Sequence, residues 1–240
     1  MKEYYHKWYS QYLSREFEML VFGYAGFPLI LFPTLHGRYF ENKDHGLINS
    51  VKEFLDEGKV TIFCPDGIDG ESWENFSIHP ADRVKTHMAY ESLILNDVIG
   101  FAKYQTGAKS VALGGCSFGG YHSVNLAFRY PNLVNAIISM GGSFDIKQFI
   151  YGFYDDNCYF NSPFDYLPNL YDSWYIEKMK SMKIILGTGD NDFVLDENQH
   201  LSSILTAKEI NHKLDVKKGV GHDWPWWNEM LPEYLKELID

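Results

Sequence analysis

The sequence predicts an α/β fold in which a mostly parallel sheet is covered by helices on both faces. Short apolar runs that are typical of buried strands alternate with longer stretches whose apolar residues recur at helical spacing. This alternation is typical of parallel sheets that are buried on both sides. Polar, glycine-rich turns follow several of the apolar runs, and ligands bind at such strand ends. The 240 residues contain no Pro/Gly/Ser-rich linker and no repeat, which favours a single domain over residues 1–240.

The first half of the chain supplies three predicted strands and two helical regions. The strands are at residues 16–22, 28–32 and 60–64. Apolar residues recur at helical spacing over residues 47–55 and predict a helix that ends at Gly58. A second, longer helical stretch covers residues 82–104.

The second half continues the alternation. Strands are predicted at residues 110–113, 135–140, 182–187 and 214–216, and helices at residues 121–130 and 197–208 and directly after His222. The segment between the strands at 135–140 and 182–187 is rich in aromatic residues, and α/β folds often carry an insertion there. We therefore predict a short cap within residues 143–181. A rigid surface loop that packs its own aromatic side chains is the open alternative.

Residues 115–119 have the pattern G-x-S-x-G between a predicted strand and a predicted helix. This pattern places a serine on a sharp strand-to-helix turn and exposes its hydroxyl above the sheet. Both glycines are needed because a Cβ at either position would collide with the neighbouring strand or helix. Ser117 is therefore the candidate nucleophile, and the side chain of Cys116 should point away from the site.

A nucleophilic serine needs a general base and an acid that orients the base. In this fold class the chain order is serine, acid, histidine. His222 lies in a loop between the last predicted strand and the last predicted helix, so it is the candidate base.

The acid must come from the turn after the strand at 182–187, which contains Asp190, Asp192 and Asp196. We assign Asp196, with Gln199 three residues on, to a capping box of the following helix. Asp192 is the preferred acid because the apolar residues 193–195 after it can hold the loop against the core. Asp190 remains the alternative acid and ranks second, because the role of a solvated turn residue explains it equally well.

Three motifs lie in this order along the chain: GCSFGG at 115–120, GDND at 189–192 and GHDWPWW at 221–227. Together with FPT at 32–34 and YFNSP at 159–163, they resemble the putative-esterase family of the α/β-hydrolase superfamily. That family is related to esterase D, feruloyl esterases and mycolyltransferases. The resemblance implies an α/β-hydrolase fold and a cofactor-independent serine esterase that acts on a small-molecule ester, with Ser117, Asp192 and His222 as the triad. An acyltransferase with the same triad and a catalytically silent binding protein are the alternatives.

An oxyanion hole needs two backbone N–H donors. One should be that of Phe118, directly after the nucleophile. The other should come from the loop after the strand at 28–32, where Arg38 follows Gly37; His-Gly-X loops in related hydrolases use the residue after the glycine. His36 has no partner at metal-ligand spacing, so we expect it to pack the loop and expect no metal site.

Two further groups of side chains lie outside these motifs. Trp73, His79 and Arg83 follow the strand at 60–64 and either face the site or are structural. The tryptophans at 224, 226 and 227 are expected to anchor the last helix in the core.

Charge and composition limit the binding partners and the cellular compartment that we expect. A net charge of −11 argues against nucleic acid and anionic membranes. The apolar runs are too short to span a bilayer and residues 1–6 form no hydrophobic signal core, so we expect a cytoplasmic protein. The three cysteines are an odd number and are not spaced as metal-binding pairs, so we expect no structural disulfides. A homo-oligomer is compatible with the sequence but does not follow from it.

Overall fold

The computed structural model describes residues 1–239 and is built around an eight-stranded sheet. The strands are β1 (Glu3–Ser10), β2 (Arg15–Phe22), β3 (Phe27–Phe32), β4 (Val60–Pro65), β5 (Val111–Cys116), β6 (Val134–Met140), β7 (Lys183–Gly189) and β8 (Lys213–Lys217). Their order across the sheet is β1-β2-β4-β3-β5-β6-β7-β8. β1 pairs antiparallel with β2 and β2 with β4, whereas all other neighbours are parallel. The predicted α/β class with a mostly parallel sheet is confirmed.

Helices connect the parallel strands. They are α1 (Glu41–Asp44), α2 (Leu47–Ser50), α3 (Lys52–Asp56), α4 (Pro80–Leu93), α5 (Ile99–Thr106), α6 (Phe118–Arg129), α7 (Asp156–Phe160), α8 (Pro163–Tyr166), α9 (Ser173–Lys180), α10 (Leu195–Ala207) and α11 (Trp224–Ile239). The long helical stretch predicted at 82–104 consists of α4 and α5 joined by a π-helical turn, Ile94–Val98. Within residues 1–239, no helix combines the length and the apolar character needed to cross a membrane.

Two hydrophobic cores lie on opposite faces of the sheet. Side chains of a strand alternate between faces, so Val111 and Leu113 of β5 belong to one core and Ala112 and Cys116 to the other. Residues of α4, α5, α6 and α10 fill the first core. Residues of α2, α3 and α11 fill the second, so helices cover both faces as predicted.

The prediction omitted β1, which is one of the two edge strands of the sheet. Its side chains are mostly exposed, among them Tyr4, Tyr5 and Tyr9, and they do not form the buried apolar run that marks the central strands. An exposed edge strand carries little hydrophobic signal because only one neighbour and part of one face are buried.

The segment between β6 and β7, in which we predicted a cap, contains a 3-10 turn at Ile146–Phe149 followed by α7, α8 and α9. Its start is tied to α10, because the Glu197 carboxylate accepts hydrogen bonds from the backbone N–H groups of Phe144 and Asp145. Phe149 and Tyr166 of this segment are buried in the first core. The segment therefore packs as a layer on that core.

Candidate active site

Ser117 lies on the tight turn between β5 and α6 with φ 54° and ψ −123°, a backbone conformation that L-residues rarely adopt. A Cβ on Gly115 would lie 2.5 Å from the carbonyl carbon of Gly119, and a Cβ on Gly119 would lie 2.6 Å from the carbonyl oxygen of Pro33. The close approaches predicted for the two glycines are therefore present. Cys116 is fully buried in the second core, as expected from its position before the turn.

His222 lies between Ser117 and Asp192. Its Nε2 is 2.9 Å from Ser117 Oγ, and its Nδ1 is 2.9 Å from Asp192 Oδ1. Two rings fix the imidazole from different sides: Trp227 packs edge-on at 5.0 Å, and Phe193 lies 4.3 Å away between ring centroids. Trp227 is buried, as expected for an anchor of the last helix, and it also positions His222.

Asp192 is buried at the end of β7 and has further hydrogen bonds that fix its carboxylate. Its Oδ1 accepts from the backbone N–H of Val194 at 3.1 Å, and its Oδ2 accepts from Thr188 Oγ1 at 3.3 Å. Asp190 is exposed instead, and its Oδ1 accepts from the backbone N–H of Gly219 at 2.6 Å. The structure brings Asp192, and not Asp190, to the histidine.

The capping box predicted for Asp196 and Gln199 is wrong. α10 begins at Leu195 with Val194 at the N-cap, and no side chain caps it. Asp196 is therefore an exposed residue of the first helical turn, where its charge still interacts favourably with the helix dipole. The helix begins early because Asp192 binds the N–H of Val194 and turns the chain two residues before the expected start.

The first turn of α6 and the loop after β3 flank Ser117. Phe118 is the first residue of α6, so its N–H has no acceptor within the helix. Arg38 follows Gly37 in the loop, and its guanidinium bonds Asp66 at 2.6 Å and Glu18 at 3.0 Å. Burial raises the pKa of the Asp66 carboxyl, and the bond from Arg38 opposes that rise. These ion pairs hold the Arg38 side chain and so fix the loop beside the turn.

His36 and Glu41 shape the same loop. His36 has φ 62°, and its exposed ring pairs with the Glu74 carboxylate instead of packing in the loop. Glu41 accepts from the backbone N–H of Thr34 at 2.8 Å and from its hydroxyl at 2.9 Å. Within residues 1–239, no group of three or more His, Cys, Asp and Glu side chains is arranged to hold a metal ion.

One buried pair beside the site was not predicted. His122 Nε2, on α6, lies 3.0 Å from Asp69 Oδ1 in the loop after β4, and both residues are buried. The His122 ring packs edge-on against Phe118 at 5.1 Å. A histidine on a buried helix face needs a polar partner. The position of His122 on such a face is therefore a sequence signal that a partner exists. The partner itself, 53 residues away in the chain, leaves no local signal.

Trp73, His79 and Arg83 have structural roles. Trp73 is fully buried, and the His79 side chain caps the N-terminus of α4. The Arg83 guanidinium donates to the carbonyl oxygens of Asn75 at 2.8 Å and Phe149 at 2.6 Å. Arg83 thereby joins the loop after β4 to the segment between β6 and β7.

Several solved structures share the fold of this chain. A ferulic acid esterase superimposes with a TM-score of 0.80 at 18% identity, over 99% of this chain and 97% of that chain. An S-formylglutathione hydrolase from Staphylococcus aureus superimposes with a TM-score of 0.70 at 13% identity, over 100% of this chain and 97% of that chain. MPT51 from Mycobacterium tuberculosis superimposes with a TM-score of 0.73 at 12% identity, over 98% of each chain. At these identities the likeness shows the fold, which is the α/β-hydrolase fold.

Sequence comparison defines the family. A search among curated proteins finds no match to this chain. The profile of the family described as "Putative esterase" matches residues 51–238, which is well over half of the chain and includes Ser117, Asp192 and His222. The chain therefore belongs to this esterase family of carboxylic ester hydrolases.

Proposed function

We propose that the protein hydrolyses a small-molecule carboxylic ester through an acyl-enzyme intermediate on Ser117, with His222 as the general base and Asp192 as the acid that orients it. One observation carries the proposal: the unbroken chain of contacts from Ser117 Oγ to His222 Nε2 and from His222 Nδ1 to Asp192 Oδ1, each 2.9 Å long. Both lengths are within the range of hydrogen bonds that transfer or hold a proton.

Acylation uses these contacts in sequence. The Ser117 oxygen attacks the ester carbonyl carbon while its proton moves to His222 Nε2, and the carbonyl π electrons move to the oxygen. Asp192 accepts a hydrogen bond from Nδ1–H, which leaves Nε2 free to accept the proton and stabilises the imidazolium that forms. The tetrahedral intermediate then collapses, and the alcohol leaves with the proton from His222.

Deacylation repeats the same steps with water. A water molecule gives a proton to His222 Nε2 and attacks the acyl carbon. Collapse of the second tetrahedral intermediate releases the carboxylic acid, and the Ser117 oxygen takes the proton back.

Two backbone donors support both intermediates in this proposal. The N–H of Phe118 projects from the first turn of α6, where the helix dipole favours negative charge. The N–H of Arg38 is the proposed second donor, from the loop that Glu41 and Asp66 hold in place. Loss of one such donor costs about 100- to 1,000-fold in turnover in other hydrolases.

A fluorophosphonate probe tests the nucleophile. The wild type should take up one probe per chain and hydrolyse p-nitrophenyl acetate, and Ser117→Ala should abolish both properties, with a loss of turnover of up to about a millionfold. Cys116→Ala is the matched control and should still be labelled, because Cys116 is fully buried in the second core. Intact-mass spectrometry measures the labelling. Labelling that persists in Ser117→Ala would refute the assignment, and an unlabelled wild type would favour a binding protein that has no activity.

A further inference from the structure

A cavity of about 330 Å³ lies between the edge strand β1 and the start of α5, on the side of the sheet that carries the first core. Its side-chain walls come from His6, Trp8, Met19, Asp97 and Phe101. Three strands, β2, β4 and β3, separate β1 from β5 in the sheet. At about 4.8 Å per strand, β1 is about 19 Å from β5, which ends at the nucleophile turn. The cavity is therefore remote from the triad.

Asp97 brings to this cavity a negative charge that no side chain balances. Its Oδ2 accepts from the indole Nε1–H of Trp8 at 3.1 Å, and within residues 1–239 the carboxylate forms no ion pair. The side chain is half-buried, and its Oδ1 accepts no hydrogen bond within those residues but still reaches solvent. Asp97 also lies in the π-helical turn Ile94–Val98, and such turns are rare but frequent at functional sites. A ligand in the cavity can therefore meet a free carboxylate oxygen.

Lys7 does not offset this charge, although it also lines the cavity. Side chains alternate along a strand, so the Lys7 side chain points to the face opposite His6 and Trp8. There its ammonium group forms an ion pair with Glu16 of β2. Burial lowers the pKa of the His6 imidazole, so that ring is uncharged at neutral pH. Among the described residues that line the cavity, only Asp97 therefore directs a net charge into it.

The remaining walls are aromatic or apolar. Trp8 and Phe101 are partly buried against the first core, so part of each ring stays accessible from the cavity. Ring contacts hold both side chains: His6 packs edge-on against Phe101 at 4.9 Å, and Trp8 packs edge-on against Phe17 at 5.2 Å. The faces of aromatic rings attract cations, most strongly when the cation is taken out of water. Aromatic walls beside an unpaired carboxylate favour a cation with apolar substituents.

The same features disfavour other ligands. An anion would meet the charge of Asp97 with no cation beside it, and a sugar would bury several hydroxyl groups where the Trp8 N–H is already used. A primary ammonium group is strongly hydrated and has three N–H groups, more than Asp97 Oδ1 and the His6 ring can accept. A quaternary ammonium has no N–H to satisfy. Its methyl groups pack against the rings, and its charge balances Asp97.

We propose that this cavity is a second binding site, separate from the triad, that takes a quaternary ammonium ion. The cationic head lies against the rings of Trp8 and Phe101, and its charge faces Asp97 Oδ1. The site is independent of the proposed esterase reaction, because none of its residues belongs to the triad.

The indole N–H signal of Trp8 in two-dimensional proton–nitrogen NMR spectra reports on this site, and Trp8→Phe identifies the signal by its loss. Titration with choline chloride should shift the signal in a saturable way, whereas sodium chloride at the same ionic strength should not. 3,3-Dimethylbutan-1-ol has the shape of choline with carbon in place of the charged nitrogen. It should bind about fivefold more weakly than choline, or weaker still, because it lacks the charge.

Removal of the carboxylate charge tests the role of Asp97. Asp97→Asn should weaken choline binding about three- to tenfold, because it removes the charge and keeps an acceptor for the Trp8 N–H. The affinity of that variant for 3,3-dimethylbutan-1-ol should change little. Asp156→Asn in α7 is the matched control, since it removes the same charge at an exposed position outside the cavity. It should bind choline like the wild type.

A ring variant and a blocked nucleophile complete the test. Phe101→Leu keeps an apolar side chain and should weaken choline binding about two- to fivefold. Chains labelled by fluorophosphonate should bind choline as unlabelled chains do. The proposal is wrong if the Trp8 signal shows no saturable shift, if the neutral alcohol or Asp97→Asn matches the affinity of choline for the wild type, or if blocking Ser117 abolishes binding. If Asp97→Asn does not fold, the comparison of choline with the neutral alcohol decides.

Discussion

Ser117 and Cys116 are neighbours in the chain, yet the turn after β5 gives them opposite environments. Cys116 ends the strand with its side chain in the second core, and burial raises the pKa of its thiol well above the ordinary value. A thiol that stays protonated is a poor nucleophile. Ser117 adopts a positive φ and directs its Oγ to His222. A shift of one position therefore separates an inert residue from the candidate nucleophile.

Asparagine substitutions distinguish the two carboxylates of the loop after β7. Asp192→Asn should lower kcat for p-nitrophenyl acetate by about ten-thousandfold, because an amide beside Nδ1 no longer holds the histidine tautomer that accepts a proton at Nε2. Asp190→Asn is the control and should change kcat by less than about tenfold, since the Asp190 carboxylate accepts from the backbone N–H of Gly219 and not from His222. The two variants should remain folded by circular dichroism. The opposite ranking of kcat values would assign the acid to Asp190.

Elements whose signal is local could be predicted from the sequence, and contacts between distant residues could not. The G-x-S-x-G turn was predictable because both glycines are required by local sterics, and β7 because its apolar run is continuous. The start of α10 was mispredicted because Asp192 turns the chain before Asp196 is reached. The Asp69–His122 pair was missed because only the folded sheet brings the loop after β4 against α6.

Two glycines in helices test how closely α6 approaches β3. Gly119→Ala should destabilise the protein by about 1–3 kcal/mol and lower kcat, because the new Cβ would lie 2.6 Å from the Pro33 carbonyl oxygen and push α6 away from the loop beside Ser117. Gly100→Ala in α5 is the matched control, since nothing lies within 4 Å of its added Cβ. That variant should gain about 0.5–1 kcal/mol from helix propensity. Urea unfolding measures the free energy of unfolding of both variants. Equal changes in this free energy would contradict the close approach of α6 to Pro33.

α4 and α6 are joined by a buried ion pair. Glu91 on α4 accepts from Arg129 at the end of α6, and Glu91 is buried. Burial alone would raise the pKa of Glu91, but the interactions with His87 and Arg129 outweigh it and hold the pKa below its ordinary value. Burial also lowers the pKa of His87, so Arg129 supplies the charge at neutral pH.

Glu91→Gln should therefore cost about 3 kcal/mol in free energy of unfolding at pH 7, because it leaves the Arg129 charge without its partner. A carboxyl whose pKa is lowered by folding stabilises the fold above its unfolded value, and this contribution is lost as the pH falls through the folded value. The difference between wild type and variant should thus shrink as the pH falls below 4.5, the ordinary value for glutamate. Glu71→Gln, which breaks an exposed pair with Arg15, should cost less than about 1 kcal/mol. A pH-independent difference would show that Glu91 acts through packing alone.

At the scale of the whole molecule, the sheet topology assembles the site. Ser117, Asp192 and His222 follow β5, β7 and β8, which are parallel, so their carboxyl ends meet at one edge of the sheet. The His222 side chain is 13% exposed there, and Phe193 beside it is 78% exposed. His222 therefore reaches solvent although Asp192 is buried, which bears on whether water or a bound alcohol resolves the proposed acyl-enzyme.

An acyltransferase would use the same three residues but must hold an alcohol that outcompetes water at about 55 M, which requires an ordered acceptor site. We expect the access of solvent to His222 to favour water as the acceptor. With p-nitrophenyl acetate as the donor and millimolar glycerol or glucose present, most of the acyl group should appear as free acetate, measured by mass spectrometry against nitrophenol release. Ser117→Ala, the control, should release neither product above background. Predominant transfer of the acyl group to millimolar glycerol would replace the hydrolase proposal by an acyltransferase and leave the roles of Ser117, His222 and Asp192 unchanged.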